Sequence, residues 1–331
     1  MHDTMSGPAD RRSRRTAVPG TSSAALDVAE HEPANKSGGF IRVVAPPPSL
    51  SGVVDLIVMV VAPANVARQL RLARFPHVSA QVVFAIAQGR SLPGGRPTGT
   101  GHWASLLVVP AHLHLAPLRA TVTQMVSVAL HPTGLRLIAT PGTAQLVGSR
   151  VVPLHALWGD AADDLLEQLI NQRSLQGRLL KLVRSLEARL PVVALPHAIA
   201  RQATELLLRT RGAIRIDALA TSCRCTLRTL HTVLVAETGL RPKHFARILR
   251  LRHAVDLLAA GSGLNEAAAH AAYADQPHMT REFRVLFHQS PRSVVRTLRA
   301  ARQPDFPLAL PAHRPITDTG VLIARRRRAH N

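Results

Sequence analysis

The sequence predicts an α+β chain, in which a β-rich amino-terminal domain that closes with helices is followed by an all-α domain of two helix-turn-helix units. Three observations carry this. Between residues 41 and 157, short apolar runs are broken by Pro and Gly, the punctuation of strands and turns. After Leu157-Trp158-Gly159-Asp160 the apolar residues recur at three- and four-residue spacing, which is the period of a helix buried on one face. Beyond residue 205 one pattern occurs twice, 49 positions apart: Leu230 lies over Met279, Leu234 over Phe283, Gly239 over His288 and Pro242 over Pro291.

A length of 331 residues suits two domains and their tails. Residues 1–40 are rich in Ser, Pro, Gly, Ala and charge and lack apolar periodicity, which reads as a disordered tail. Its run Arg11-Arg12-Ser13-Arg14-Arg15 is a solvated charge cluster or a basic arm, and no apolar stretch follows it as a signal peptide requires. The apolar segment from Val53 to Ala62 is too short to span a bilayer and contains Asp55, so the expectation is a cytoplasmic protein with no membrane partner. Residues 41–190 form the first domain. Its strand signals are Gln81–Ala87, Ser105–Val109, Gln124–Leu130 and Leu135–Ile138, suited to a compact sheet or half-barrel able to hold a small ligand. Leu165, Leu166, Leu169 and Ile170, then Leu179, Leu182, Val183, Leu186 and Leu190, predict two closing helices. That pair is the candidate for self-association as a homodimer, and packing on its own sheet is the other use of the same faces.

The second domain covers residues 195–300, entered through a helix at His197–Arg209. Its first unit has a short helix from Ile216, a turn at Ser222–Cys225 and a second helix capped by Thr226. Leu227, Leu230 and Leu234 form the expected inward stripe, leaving Arg228 and Thr232 outward and His231 at the flank, the three candidate base readers of this unit. In the second unit Met279, Phe283 and Phe287 face inward, while Gln276, His278, Thr280 and Arg281 are left for the exposed side. Arg can form two hydrogen bonds to guanine and Gln two to adenine, and a helix fits the major groove of DNA. Between the units, Gly239-Leu240-Arg241-Pro242 ends one helix and starts another, since Pro suits a first helical turn. This connector runs to about Leu258, roughly 25 Å, and permits two reading helices about one DNA turn, ~34 Å, apart. Lys243, Arg247 and Arg250 on it, with Arg284 and Arg296 further on, are the phosphate candidates.

The arrangement resembles the AraC/XylS family of bacterial transcription regulators over about residues 205–298. The carriers are Gly239-Leu240-Arg241-Pro242, the segment Leu251 to Leu258, and Asp275-Gln276-Pro277-His278-Met279-Thr280-Arg281-Glu282-Phe283-Arg284 with Pro291. The resemblance implies a double helix-turn-helix domain joined by a long helix, double-stranded DNA as partner, and activation through contact with RNA polymerase. It places base contacts on Arg228, His231 and Thr232, and on Gln276, Pro277, His278, Thr280 and Arg281. The chain departs from the family at Ala267, Ala271 and Ala272, where larger aliphatics and a glycine are usual, and at His288, where glycine is usual. Loose packing of the second unit and positive φ at His288 are the expectations. The first domain is similar, through His131-Pro132-Thr133-Gly134, Leu154 to Asp160 and Arg178 to Leu190, to β-rich sensor regions of actinobacterial regulators of this type. That implies a sensor or dimerisation domain and, in the first case, a small-molecule effector.

Composition agrees with a nucleic-acid partner. Lys+Arg number 41 against 20 Asp+Glu, a net charge of +21 with pI ≈ 11.8, although only Lys36, Lys181 and Lys243 are lysines and an Arg bias also follows from genomic base composition. Sites for other chemistry are poor. Cys223 and Cys225 lack further cysteines to complete a zinc site, and His112-Leu113-His114 lacks an acidic ligand in the following residues. No phosphate loop, paired carboxylates or nucleophile with a base stands out, so no catalytic residue, metal or cofactor is assigned. Residues 301–331, ending in Arg325-Arg326-Arg327-Arg328, read as a Pro/Arg-rich tail. A sequence-specific, two-groove DNA reader is the expectation; a nonspecific basic nucleic-acid binder, or an enzyme fused to a DNA-binding domain, are the alternatives.

Overall fold

A computed structural model describes residues 40–61, 70–74, 78–88, 102–107, 114–117, 121–135, 152–189, 197–301, 308–309 and 321–325. The amino-terminal tail with its arginine run, His112, residues 136–138 and Arg326–Arg328 lie outside them. The apolar runs become strands β1 (Phe40–Val44), β2 (Val54–Val61), β3 (Leu70–Arg74), β4 (Gln81–Gln88), β5 (Trp103–Leu107), β6 (His114–Pro117), β7 (Thr121–Leu130) and β8 (Val152–Pro153). From the expected carboxyl-terminal tail, β9 (Leu308–Ala309) pairs parallel with β1 and β10 (Val321–Arg325) pairs antiparallel with β3. Two sheets result, one ordered β8-β5-β4-β7-β2-β1-β9 and one ordered β10-β3-β6.

In the larger sheet β7 lies between β2 and β4, with Val58 and Val83 both opposite Ser127. Alternation then puts Ile57, Met59, Val82, Phe84, Val126 and Val128 on one face. Against that face fold α2 (Asp160–Asn171) and α3 (Leu175–Arg189), reached through the short α1 (His155–Trp158). Leu165, Leu166, Leu169, Leu179, Leu182, Val183 and Leu186 are all buried there. The apolar stripe considered for self-association is therefore spent on the chain's own sheet. Ser49, in the 3₁₀ turn between β1 and β2, donates a hydrogen bond to Glu187, tying α3 to that connection. The opposite face, with Leu56, Val58, Val83, Ala85 and Ala129, is buried as well, as continuous apolar runs demand.

The helical domain begins with α4 (Ala198–Arg209) and continues as α5 (Ile216–Ser222), α6 (Leu227–Thr238), α7 (Pro242–Ala260), α8 (Leu264–His270), α9 (Gln276–Phe287) and α10 (Pro291–Ala301). Pro242 starts α7, and Gly239 at φ 72° ends α6, which is the division of labour that Pro and Gly have at helix ends. Gly212, at φ 76°, turns α4 into α5 so close to the Ala246 carbonyl that any Cβ would collide with it. The domain has two cores. Leu207, Leu219, Leu230, Leu234, Phe245 and Ile248 form one, and Leu251, Val255, Ala267, Met279, Phe283 and Phe287 form the other. The sheet domain joins the first core: Val78 is buried within it, and the 3₁₀ turn Pro132–Gly134 packs against α4 and α6.

Phe245 is wholly buried where α7 enters the first core. Phe245→Ala removes that side chain and leaves a cavity, so it should lower unfolding free energy by about 3–5 kcal/mol, read from the midpoint of urea denaturation.

Candidate nucleic-acid interface

The repeat seen in the sequence is a repeat of backbone hydrogen bonding. At the end of α5, Cys223, Arg224 and Cys225 donate to the carbonyls of Leu219, Thr221 and Ala220; at the end of α8, Ala271, Ala272 and Tyr273 donate to those of Ala267, Ala269 and Ala268. The first helices are thus offset by 48 residues and the second helices by 49, so the second turn holds one residue more. Each turn passes through a left-handed residue that is not glycine, Arg224 at φ 51° and Ala272 at φ 58°. His288 ends α9 at φ 54°, as expected at a position where the resembled family has glycine. These conformations cost a β-carbon-bearing residue roughly 1–2 kcal/mol.

The second helix of each unit, α6 and α9, is capped on its first turn. The Thr226 hydroxyl accepts from the Thr229 amide at 3.1 Å, and the Asp275 carboxylate accepts from the His278 amide at 2.6 Å. The caps hold the amino-terminal turns of α6 and α9, where the candidate readers sit. Arg228, His231 and Thr232 are exposed on α6; Pro277 and Arg281 are exposed and Gln276, His278 and Thr280 half-buried on α9. One assignment is corrected. Leu227, expected inward with Leu230 and Leu234, is 54% exposed. It shares their azimuth, but at the first turn the helix has run past the core that covers Leu230 and Leu234.

Of the phosphate candidates, Lys243, Arg284 and Arg296 are exposed. Arg247 and Arg250 serve first as a joint between α7 and α9. Arg247 Nε donates to Glu282 Oε1 at 2.9 Å, and Tyr273 donates its hydroxyl proton to Glu282 Oε2 at 3.3 Å. The Arg250 guanidinium lies 5.8 Å above the Tyr273 ring, within cation–π range, and His278 meets that ring edge-on at 5.3 Å. Burial first, and the Glu282 carboxylate second, push the Tyr273 phenol well above its ordinary range, so it stays a donor. Sequence reasoning missed Glu282 and Tyr273. The available signal was an acidic residue, three positions after Met279 and one before Phe283, in a chain poor in acids. The alanines of α8 let it approach α9 closely, and Tyr273, Met279, Phe283, Leu286 and Phe287 fill the core around them. This packing replaces the loose second unit that the small residues suggested.

Electrostatics around the first unit are mild. Arg215 and Asp217 form an exposed pair at 2.7 Å, and the hydrogen-bonded guanidinium holds the Asp217 carboxyl at about 2. Arg211 Nη1 donates to His253 Nε2 at 2.6 Å, and burial, then Arg211, then His270 keep that imidazole below its usual range, hence a neutral acceptor. Cys223 is buried in the first core, where burial raises its thiol, and Cys225 is half-buried beside it. Among the described residues no group of His, Cys, Asp and Glu could hold a metal ion, and no helix is long and apolar enough to cross a membrane.

A second feature lies between the sheet and α2–α3. Met59, Phe84, Ile86, Met125, Leu166, Leu169 and Leu175 line an apolar crevice that also receives Gln124 and Arg178. Arg178 Nε donates to the Leu169 carbonyl at 2.8 Å, and burial lowers the guanidinium's pKa. Gln124 Oε1 is buried without a hydrogen-bond partner.

Two short-turned helix pairs on one connector define a helix-turn-helix DNA-binding domain, and residues 219–297 match the family described as "Helix-turn-helix domain". The domain is of the AraC type. It is 37% identical over 79 residues to "HTH-type transcriptional activator RhaS" of Escherichia coli O157:H7 (strain EC4115 / EHEC), and 35% identical over 79 residues to the RhaS of Escherichia coli (strain K12 / DH10B). Those matches cover 24% of this chain and 28% of the length of each curated relative. Among solved structures, ToxT from Vibrio cholerae aligns over 78% of this chain and 97% of its own, at 10% identity and a TM-score of 0.35, a loose correspondence.

The buried and exposed ion pairs should behave differently. Glu282→Ala strands Arg247 and the Tyr273 hydroxyl and should cost about 3–5 kcal/mol in denaturant unfolding, whereas Asp217→Ala, which opens a solvent-screened pair, should leave the denaturation midpoint essentially unchanged.

Proposed function

We propose that this chain is a sequence-specific DNA-binding transcription regulator whose two units read successive major grooves, and that it activates transcription by contacting RNA polymerase. The observation that carries the DNA-reading part is the duplication: two capped helices of one construction hang on a single connector, each with its polar residues outward at the amino-terminal turns. The connector has 19 residues and is about 28 Å long, and with the width of the flanking helices this matches the ~34 Å between successive faces of the major groove. Activation rests on the likeness of the domain to curated activators. The net charge of +21 supplies sequence-independent attraction to phosphates, and Arg228, His231, Thr232, Gln276, Pro277, His278, Thr280 and Arg281 supply the discrimination.

The sheet domain is proposed as the sensor, with the crevice over Arg178 as its effector site. An arginine in an apolar lining, with only a backbone carbonyl on its Nε, suits a small apolar carboxylate, and Gln124 offers an acceptor to a hydroxyl on the same ligand. The crevice as it stands has room inside for about one water molecule, so occupation moves α2 and α3 away from the sheet.

Selection of bound DNA from a random library tests the first part. The expected result is two sequence patches about one turn apart, the one degraded by Arg228→Ala and the other by Arg281→Ala, each lost base contact costing about 1–3 kcal/mol. Binding that fades with salt and enriches no motif supports instead a nonspecific basic binder. For the sensor, small apolar carboxylates should raise the melting temperature of the chain and not that of Arg178→Met; a panel without effect on either removes the effector site from the proposal.

A further inference from the structure

The first reading helix carries a large apolar side chain where the second carries a polar reader. The caps Thr226 and Asp275 are equivalent in the repeat, so Leu227 and Gln276 occupy the same first helical position. Leu227 is 54% exposed, the most exposed of the three large apolar side chains among the described residues that lie open to solvent rather than buried or half-buried. Its neighbours in sequence are polar or cationic: Thr226 and Arg228 are exposed on either side of it, Arg224 is exposed three positions earlier, and His231 is exposed one turn on. An apolar side chain flanked by two arginines is poorly suited to a protein interface, whose core is depleted in charge. It is well suited to the major groove, where the phosphates answer the cations and one base alone presents an apolar group, the 5-methyl of thymine.

We infer that Leu227 is a specificity-determining residue that recognises a thymine 5-methyl group in the half of the site bound by the first unit. The inference rests on the DNA-reading proposal above and deepens it, by naming a base at a position from which no hydrogen bond can come. The two units then use one geometric position for different chemistry. Gln276 reads by hydrogen bonds and Leu227 by burial of a methyl, which makes the two half-sites unlike each other and gives the bound chain a direction on the duplex.

Uracil substitution isolates the methyl, since it leaves all hydrogen-bonding groups of the base in place. With the full chain and its selected DNA site, each thymine next to the bases whose preference depends on Arg228 is replaced singly by uracil. The affinity of the unaltered protein should fall about fourfold at one position, the size expected for one buried methyl. Leu227→Ala should be indifferent to the same replacement, while Leu227→Met should keep it. Leu227 touches no core, so both variants should melt with the parent. Indifference of the parent protein to every such uracil, absence of thymine from that patch, or a methyl effect that survives in Leu227→Ala overturns the assignment while leaving the DNA-reading proposal standing. Failure to select any motif defeats that proposal itself.

Discussion

Both cores of the helical domain draw on one helix. Phe245, Ile248 and Leu249 of α7 are buried in the first unit, and Leu251, Ala254, Val255 and Leu258 in the second. Because each unit contributes a first helix of only seven residues, neither could bury its reading helix without this shared element. The relative position of α6 and α9 is thereby set by the rise and twist of a single rigid rod. Pro242 and Gly261 bound the rod, so its length is a property of local sequence.

The rod alone would leave α9 free to roll. Glu282 stops it, by accepting from Arg247 on α7 and from Tyr273 in the turn before α9 while buried beside the apolar core. A buried carboxylate is tolerated because two donors satisfy it, and removing either leaves a charge or a polar group stranded. The Arg250–Tyr273–His278 stack extends the joint toward the reading face. Thus Arg247 and Arg250 are committed to orientation, while Lys243, Arg284 and Arg296 are exposed.

The sheet domain reaches the DNA-binding domain through the first unit. Val78 and the Pro132–Gly134 turn meet α4 and α6, and His131 beside that turn has its pKa lowered by burial, with Glu205 on α4 opposing the shift. That contact lies on α6, the helix that carries Leu227 and Arg228, and α7 joins α6 to the second unit.

Local rules determined much of this from sequence alone. The 49-residue repeat, the Thr226 cap, the Pro242 start and the inward Met279, Phe283 and Phe287 all follow from spacing and backbone chemistry, and so do strands β4, β5 and β7 and helices α2 and α3; the positive φ at His288 follows from the resemblance, which has glycine at that position. What only the tertiary structure decided concerns groups whose state depends on neighbours distant in sequence. Leu227 keeps the helical azimuth of a core residue and is nonetheless exposed, because no partner helix extends beside that turn. Glu282 looks like a surface acid and is buried, because Arg247 and Tyr273 arrive from other segments to satisfy it. The apolar stripes of α2 and α3 fit a dimer as well as a sheet, and the choice between them lies in where the chain brings β2, β4 and β7. Periodicity reports which face of an element seeks cover; only the assembled fold supplies what covers it.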